Sequence, residues 1–211
     1  MANDKINFIR PFGPSIAKIQ IPEKIIFSLN EYVDKIIGDQ KKSKLLDHGP
    51  NLAGNVKQEF IVEPDLLKSS GLLDFLGKYT SMWIEASDQK KITRFDVISC
   101  WIVRQFQAEY NPIHYHGGHI SGVGYLKLPT NYGKPFQSTK KKNVNGNISF
   151  IHGSRMFNSS SNVNVEPKLG DFYLFPNYMM HTVYPFYGNE ERRSISFNAK
   201  IDDGVYNVYG G

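Results

Sequence analysis

Three of the six histidines fall close together, in NPIHYHGGH from Asn111 to His119. His114 and His116 are two positions apart, so in an extended segment both side chains leave the same face. Two imidazoles on one face can hold one metal ion, and the third ligand must come from elsewhere. His181, within the apolar stretch FPNYMMHTVYPF, is the best candidate. Neutral imidazole nitrogen suits Fe(II), Zn, Cu and Ni. Three such ligands, two from one strand and one from a facing strand, occupy one side of an octahedron and leave the other side open. Beyond His181 stands Arg192, in RRSISFNAK. A guanidinium on that following strand can pair bidentately with a carboxylate whose other end chelates the metal. Ser194 faces the same way as Arg192 and can add a hydroxyl donor.

The neighbouring residues read more plainly. His119, three positions after His116, faces the other way in an extended chain and is expected in a loop or pocket wall. His152 ends a strand, and His48 is expected to be solvated in a loop. Arg193 points opposite to Arg192 and is expected at the surface; a slip of one residue in register would exchange the two arginines. Cys100 reads as a small buried apolar residue. Gly117, Gly118, Gly122 and Gly124 do not make a phosphate loop, because no Gly-Lys-Ser/Thr or following helix accompanies them.

These residues need elements to hold them. Ile6 to Ile21 predicts two short strands, broken at Pro11, Gly13 and Pro14. A helix is predicted over Pro22 to Ile37, where Ile25, Ile26, Leu29, Tyr32, Val33, Ile36 and Ile37 recur at helical period and Gly38 stops it. Lys41 to Gly54 reads as a polar loop. A second helix is predicted from Gly71 to Ala86. After Lys90 the period changes to two. Arg94–Tyr110, Ile120–Leu128, Asn147–His152, Val163–Val165, Asp171–Phe175, His181–Phe186 and Ser194–Ile201 read as strands separated by turn clusters. Many short strands without helices between them mean an antiparallel sandwich or barrel. The fold class expected is therefore mainly β with flanking N-terminal helices, a double-stranded β-helix of the jelly-roll, cupin-like kind. One domain is expected over residues 1–211, with supporting strands and helices in 1–90 and the core in 91–211.

Composition narrows the function classes. The net charge is +5, and the lysines lie in scattered short groups such as Lys140, Lys141 and Lys142. No basic stripe with interleaved aromatics is present, which argues against nucleic acid as a partner. A single cysteine excludes an intrachain disulfide and a Cys-rich zinc site. No apolar run approaches the ~20 residues of a membrane span, and MANDKINFIR is too polar for a signal peptide. A cytoplasmic protein in a reducing compartment is expected.

The chain resembles the Fe(II)- and 2-oxoglutarate-dependent oxygenase superfamily, nearest to its prolyl-4-hydroxylase-like and small 2OG-Fe(II) oxygenase branches. The resemblance rests on His114 and His116 followed by SGVGYLKLP, on LGDFYLFPNYMMHTVYPF with His181, and on Arg192 in RRSISFN. It covers roughly residues 95 to 200, and the order of the parts is more specific than any one of them. It implies His114, His116 and His181 as the metal ligands, with His116 standing where the family usually has a carboxylate. It implies that Arg192 and Ser194, with Tyr125, bind the distal carboxylate of 2-oxoglutarate, and that Trp101 and Asn198 line the pocket. The cofactors implied are Fe(II), 2-oxoglutarate and O2, with ascorbate as an accessory. The activity implied is hydroxylation of a C–H bond in a small-molecule or peptidyl substrate, releasing succinate and CO2. The loops Gly133–Asn147 and Met156–Asn164 are expected to border the pocket mouth. Two other readings are consistent with the same residues: a cupin-like three-histidine metal dioxygenase without 2-oxoglutarate, and a non-catalytic metal-binding jelly roll.

Overall fold

The computed structural model describes residues 6–9, 13–135 and 137–207. The polar start before Ile6 and the break at Pro11 lie outside the described residues. In chain order the strands are β1 (Asn7–Ile9), β2 (Ile16–Gln20), β3 (Gln58–Ile61), β4 (Phe95–Gln105), β5 (Asn111–His114), β6 (Ile120–Lys127), β7 (Ile148–Ile151), β8 (Asn162–Val165), β9 (Asp171–Pro176), β10 (Met180–Val183) and β11 (Arg192–Ile201). The helices are α1 (Glu23–Ile37), α2 (Gln40–Leu45), α3 (Pro64–Ser69), α4 (Leu72–Asp88) and α5 (Asp203–Tyr206). Every strand pairing is antiparallel. They form a large sheet in the order β1-β2-β9-β6-β11-β4-β3 and a small one in the order β5-β10-β7-β8. This is the double-stranded β-helix expected, with the N-terminal helices outside it.

Strand alternation gives the large sheet two different faces. Ala17, Ile19, Cys100, Ile102, Leu126, Phe172, Leu174, Ile195 and Phe197 point outward into one apolar cluster with the helices. There α1 contributes Ile25, Leu29, Val33 and Ile36, and α4 contributes Leu72, Phe75, Leu76 and Trp83. Phe75 meets Phe172 edge-on at 5.8 Å, and the Trp83 indole N–H donates to Ser15 Oγ at 2.9 Å. Ile16, Val123, Tyr125, Tyr173 and Phe175 point inward and pack on Ile148, Phe150 and Val183 of the small sheet. On the outward face of β6, a Cβ at Gly124 would lie 2.2 Å from the Phe172 ring. The glycine lets a phenylalanine on β9 cross over its neighbour strand.

Two N-terminal features depart from the sequence reading. Lys41–Gly54 is not wholly loop: α2 forms there because Asp39 caps it, its carboxylate accepting from the Lys41 and Lys42 amides at 2.9 and 3.1 Å. The edge strand β3, with α3 after it, was not legible, since QEFI is short and finds its partner only in β4. Among the described residues no helix is long and apolar enough to cross a membrane.

Candidate metal centre

The small sheet brings the histidines together. In the β5·β10 pairing His181 lies directly opposite His114, and His181 is also opposite Phe150 of β7. His116 lies beyond the end of β5, yet its ring turns back toward the same point. Its backbone is fixed by Asn177: the His116 amide donates to the Asn177 carbonyl at 3.0 Å, and Asn177 Nδ2 donates to the His116 carbonyl at 3.1 Å. The ring centroids are 4.3 Å apart for His114 and His181, and 4.9 Å for each of the other two pairs. One nitrogen from each ring lies within 4.8 Å of the others. The Nε2 atoms of His116 and His181 are 3.2 Å apart. Two nitrogens each about 2.1 Å from one ion at a right angle would be about 3.0 Å apart.

Second contacts set which nitrogen is free. His114 Nδ1 lies 2.7 Å from the Pro112 carbonyl, and His181 Nδ1 lies 3.0 Å from the Met179 carbonyl. A carbonyl only accepts, so each Nδ1 carries the proton and Nε2 is left with its lone pair for a metal. Burial, then the charge of the other two imidazoles, pushes His116 down to about 3. Burial, then His114, holds His181 at about 4 despite the Met179 contact. Burial also lowers His114. All three rings are therefore neutral at pH 7, the state a metal ligand needs. No carboxylate joins the cluster among the described residues. The donor set fits Fe(II) as a face of three neutral nitrogens.

Arg192 supplies the second half of the site. It is 1% exposed and lines the same inner cavity as the three histidines. Its Nη1 donates to Gln105 Oε1 at 2.9 Å, with Ser194 Oγ at 3.5 Å. Its Nε and Nη2 have no partner, and neither does the buried Tyr125 hydroxyl. The guanidinium carbon stands 5.0 Å over the Tyr125 ring. Burial pushes the Tyr125 hydroxyl up, opposed by the Arg192 charge. Unlike the buried Arg193, Arg192 forms no ion pair with an acid among the described residues. A buried cation with two idle donors is costly unless an anion completes it. A carboxylate fits that gap. The cavity is narrow, about 30 Å³, and Val123, Ile148, Phe175 and Val183 give it apolar walls. A five-carbon diacid enters only if some lining side chains rotate.

Arg193 corrects the sequence reading. It is not at the surface but 2% exposed, on the outward face beneath α1. Its Nε donates to Glu191 at 2.8 Å, and its Nη atoms donate to Asn30 Oδ1 at 2.9 Å and Asp34 at 2.8 Å. Strand alternation did separate the two arginines, but α1 covers the outward one. His119 is buried outside the cluster, its ring stacked on Tyr206 at 3.9 Å and its Nδ1 accepting from the Ile201 amide. His48 lies in a loop, as expected, but is half-buried, 6.2 Å from Trp101, and lines a second cavity of about 340 Å³ beside the histidines. Trp101, Asn111, His114 and His116 form the wall common to both cavities. Asn198 lines the second, together with the His48–Gly54 region and Glu59, rather than residues of the 133–147 or 156–164 loops. Sequence reasoning missed Glu59, and a short strand beginning Gln-Glu carries no signal that would have found it.

Three imidazoles beside an inward arginine, on strands of a double-stranded β-helix, could hold one metal ion next to an anion. Residues 99–198, just under half of the chain, match the family described as "Putative 2OG-Fe(II) oxygenase". Similar solved structures include a prolyl-4-hydroxylase from Pseudomonas putida (14% identity, TM-score 0.58, 88% of this chain and 92% of that one). They also include the 2-oxoglutarate complex of a viral collagen prolyl hydroxylase from Paramecium Bursaria Chlorella virus-1 (14%, 0.56, 87% and 94%). A third is HygX from Streptomyces hygroscopicus with nickel and 2-oxoglutarate bound (11%, 0.58, 89% and 83%). At such identities the likeness concerns the fold. No curated protein sequence matches the chain.

Proposed function

We propose that the protein is an Fe(II)- and 2-oxoglutarate-dependent oxygenase that hydroxylates a C–H bond. The observation that carries this reading is the buried, unpaired Arg192 guanidinium in the same cavity as three neutral imidazoles. A metal site alone would not require it. A cosubstrate with one carboxylate for the metal and another for Arg192 accounts for both.

His114, His116 and His181 would hold iron through Nε2, and the carbonyls of Pro112 and Met179 fix the orientation of the first and last rings. Arg192 Nε and Nη2, the Tyr125 hydroxyl and Ser194 Oγ bind the distal carboxylate of 2-oxoglutarate. Gln105 holds the remaining guanidinium nitrogen, so the fork presents its open edge to the cosubstrate. Val123, Ile148, Phe175 and Val183 exclude water between metal and arginine. When bound, iron with 2-oxoglutarate and O2 would supply the oxidising chemistry for the hydroxylation, with succinate and CO2 as coproducts. The wider cavity holds the substrate against the histidine wall.

The all-nitrogen ligand set favours a second reading, a three-histidine dioxygenase in which Arg192 grips the substrate's own carboxylate. One experiment separates the two. Anaerobic Fe(II)-loaded protein is titrated with 2-oxoglutarate, and the visible charge-transfer band of a metal chelate is recorded, followed by succinate release in air. The band and iron-dependent succinate are expected, and His181→Ala loses both along with the iron. Iron that binds tightly without a 2-oxoglutarate band transfers the argument to the second reading.

A further inference from the structure

Among the described residues, two ionic side chains of the inner face keep buried polar atoms without a hydrogen-bond partner. Arg192 is one, and Glu59 is the other. Glu59 is 1% exposed, and its Oε2 has no hydrogen-bond partner. The remaining buried acids are held: Asp171 pairs with Lys18 at 2.7 Å, and Glu191 with Arg104 and Arg193. Glu59 sits on β3 directly opposite Val103 of β4, with Trp101 two residues away on the same face. Its carboxylate borders the cavity of about 340 Å³ that His114 and His116 also line, and among the described residues no lysine or arginine lines that cavity. A Cβ at Gly54 would lie 3.1 Å from Glu59 Oε1 and 2.9 Å from Asn111 Oδ1. The glycine therefore lets the chain close over the carboxylate without filling the space before it. Burial, then the charges of Asp47 and Glu109, raises Glu59 to about 7. A carboxyl so placed gains much from a bound cation, which would restore it to the ionised state.

Aromatic rings complete the arrangement. Trp101, 4% exposed, and Tyr115, 69% exposed at the rim, line the same cavity. A carboxylate beside an indole and a phenol ring is a receptor for an organic cation, because ring faces attract positive charge and the acid neutralises it. The volume lies at the low end of small-ligand pockets, which run roughly from 300 to 1,000 Å³. It suits one extended side chain or a small amine.

We propose that the substrate presents a cationic nitrogen, an ammonium or guanidinium group, to Glu59, and that this contact selects it. The inference rests on the oxygenase reading in taking this cavity as the substrate's. With Glu59 gripping the cation, the carbon chain between the nitrogen and the cavity floor lies along the His114 and His116 wall.

The test uses the full chain loaded with Zn(II) as a redox-silent metal. The probes are Nα-acetyl-lysine methylamide and its neutral counterpart, in which a hydroxyl replaces the ammonium. Binding is read by ligand-observed NMR and by tryptophan fluorescence. At least a tenfold preference for the cationic probe is expected. Glu59→Gln should reduce that preference to within twofold while leaving the neutral probe's affinity unchanged, and Glu59→Asp should keep most of it. Equal binding of the two probes, or binding of neither, overturns the proposal. So does a preference that survives Glu59→Gln. The Fe(II)–2-oxoglutarate band of Glu59→Gln, expected unchanged, reports separately on the oxygenase reading. Loss of the band in wild-type protein with the cation preference intact would remove that reading and leave the recognition site standing.

Discussion

At the scale of single residues, the chain separates its buried charges into those that hold the fold and those that await a ligand. Arg193 and Arg192 are sequence neighbours with opposite surroundings. Arg193 is saturated by Glu191, Asp34 and Asn30, whereas Arg192 has Gln105, a distant Ser194 and two idle donors. Replacing each should therefore have different consequences. Arg192→Met removes a buried, unpaired cation and is expected to leave thermal stability unchanged or raised. It should weaken 2-oxoglutarate binding by at least 30-fold, since a buried charge-assisted pair is lost, about 2–5 kcal/mol. Iron binding should persist. Titration of the chelate band against 2-oxoglutarate concentration measures the first effect, and metal analysis the second. A variant that kept wild-type affinity for the diacid would remove Arg192 from the site.

At the scale of elements, one ionic junction ties three parts of the fold together. Glu191, immediately before β11, accepts from Arg104 of β4 at 2.6 Å and from Arg193 at 2.8 Å, and Arg193 reaches Asp34 of α1. Burial would raise the Glu191 carboxyl, but its bonds to Arg104 and Arg193 outweigh that and hold it at about 2. A carboxylate lowered on folding adds stability that is complete above its unfolded value and fades as pH falls toward the folded one. The contribution should thus be full above about pH 5 and lost progressively from there down to about pH 2, by up to about 3 kcal/mol. Denaturant midpoints collected from pH 6 to pH 3 should fall in wild-type protein. Glu191→Gln should be less stable at pH 6 and show a flatter acid limb. Parallel limbs for the two proteins would mean the junction contributes nothing.

At the scale of the whole molecule, the site joins two sheets, so its ligands should stabilise the assembly. The three candidate metal ligands come from β5, β10 and the turn after β5, while Arg192, Ser194 and Tyr125 come from the large sheet. A metal alone ties only the small sheet and the segment next to it. A metal with 2-oxoglutarate spans both. Anything that binds only the folded state stabilises it by about 2.7 kcal/mol at a hundredfold excess over Kd. For a chain of this size that is roughly 5–10 °C in Tm. Melting curves with Mn(II) and 2-oxoglutarate together should rise by that order. 2-Oxoglutarate without metal should give a much smaller shift, and Arg192→Met should lose the added shift while keeping the metal's.

The amino-acid sequence by itself determined the parts that depend on local period and residue type. The alternation of Ile120–Leu128, the helical spacing of Ile25, Leu29, Val33 and Ile36, and the two-residue spacing of His114 and His116 are all local facts, and they carried the fold class and the choice of candidate ligands. The order of His181 and Arg192 after them carried the expected chemistry. Tertiary structure decided what depends on a partner far along the chain. Arg193 is buried because α1, some 160 residues earlier, lies over it. His116 joins the cluster because Asn177 folds its backbone back. Glu59 faces the cavity because a short edge strand pairs with β4. Burial and counter-charge are sums over neighbours that the chain brings together only on folding, and no period within the sequence encodes them.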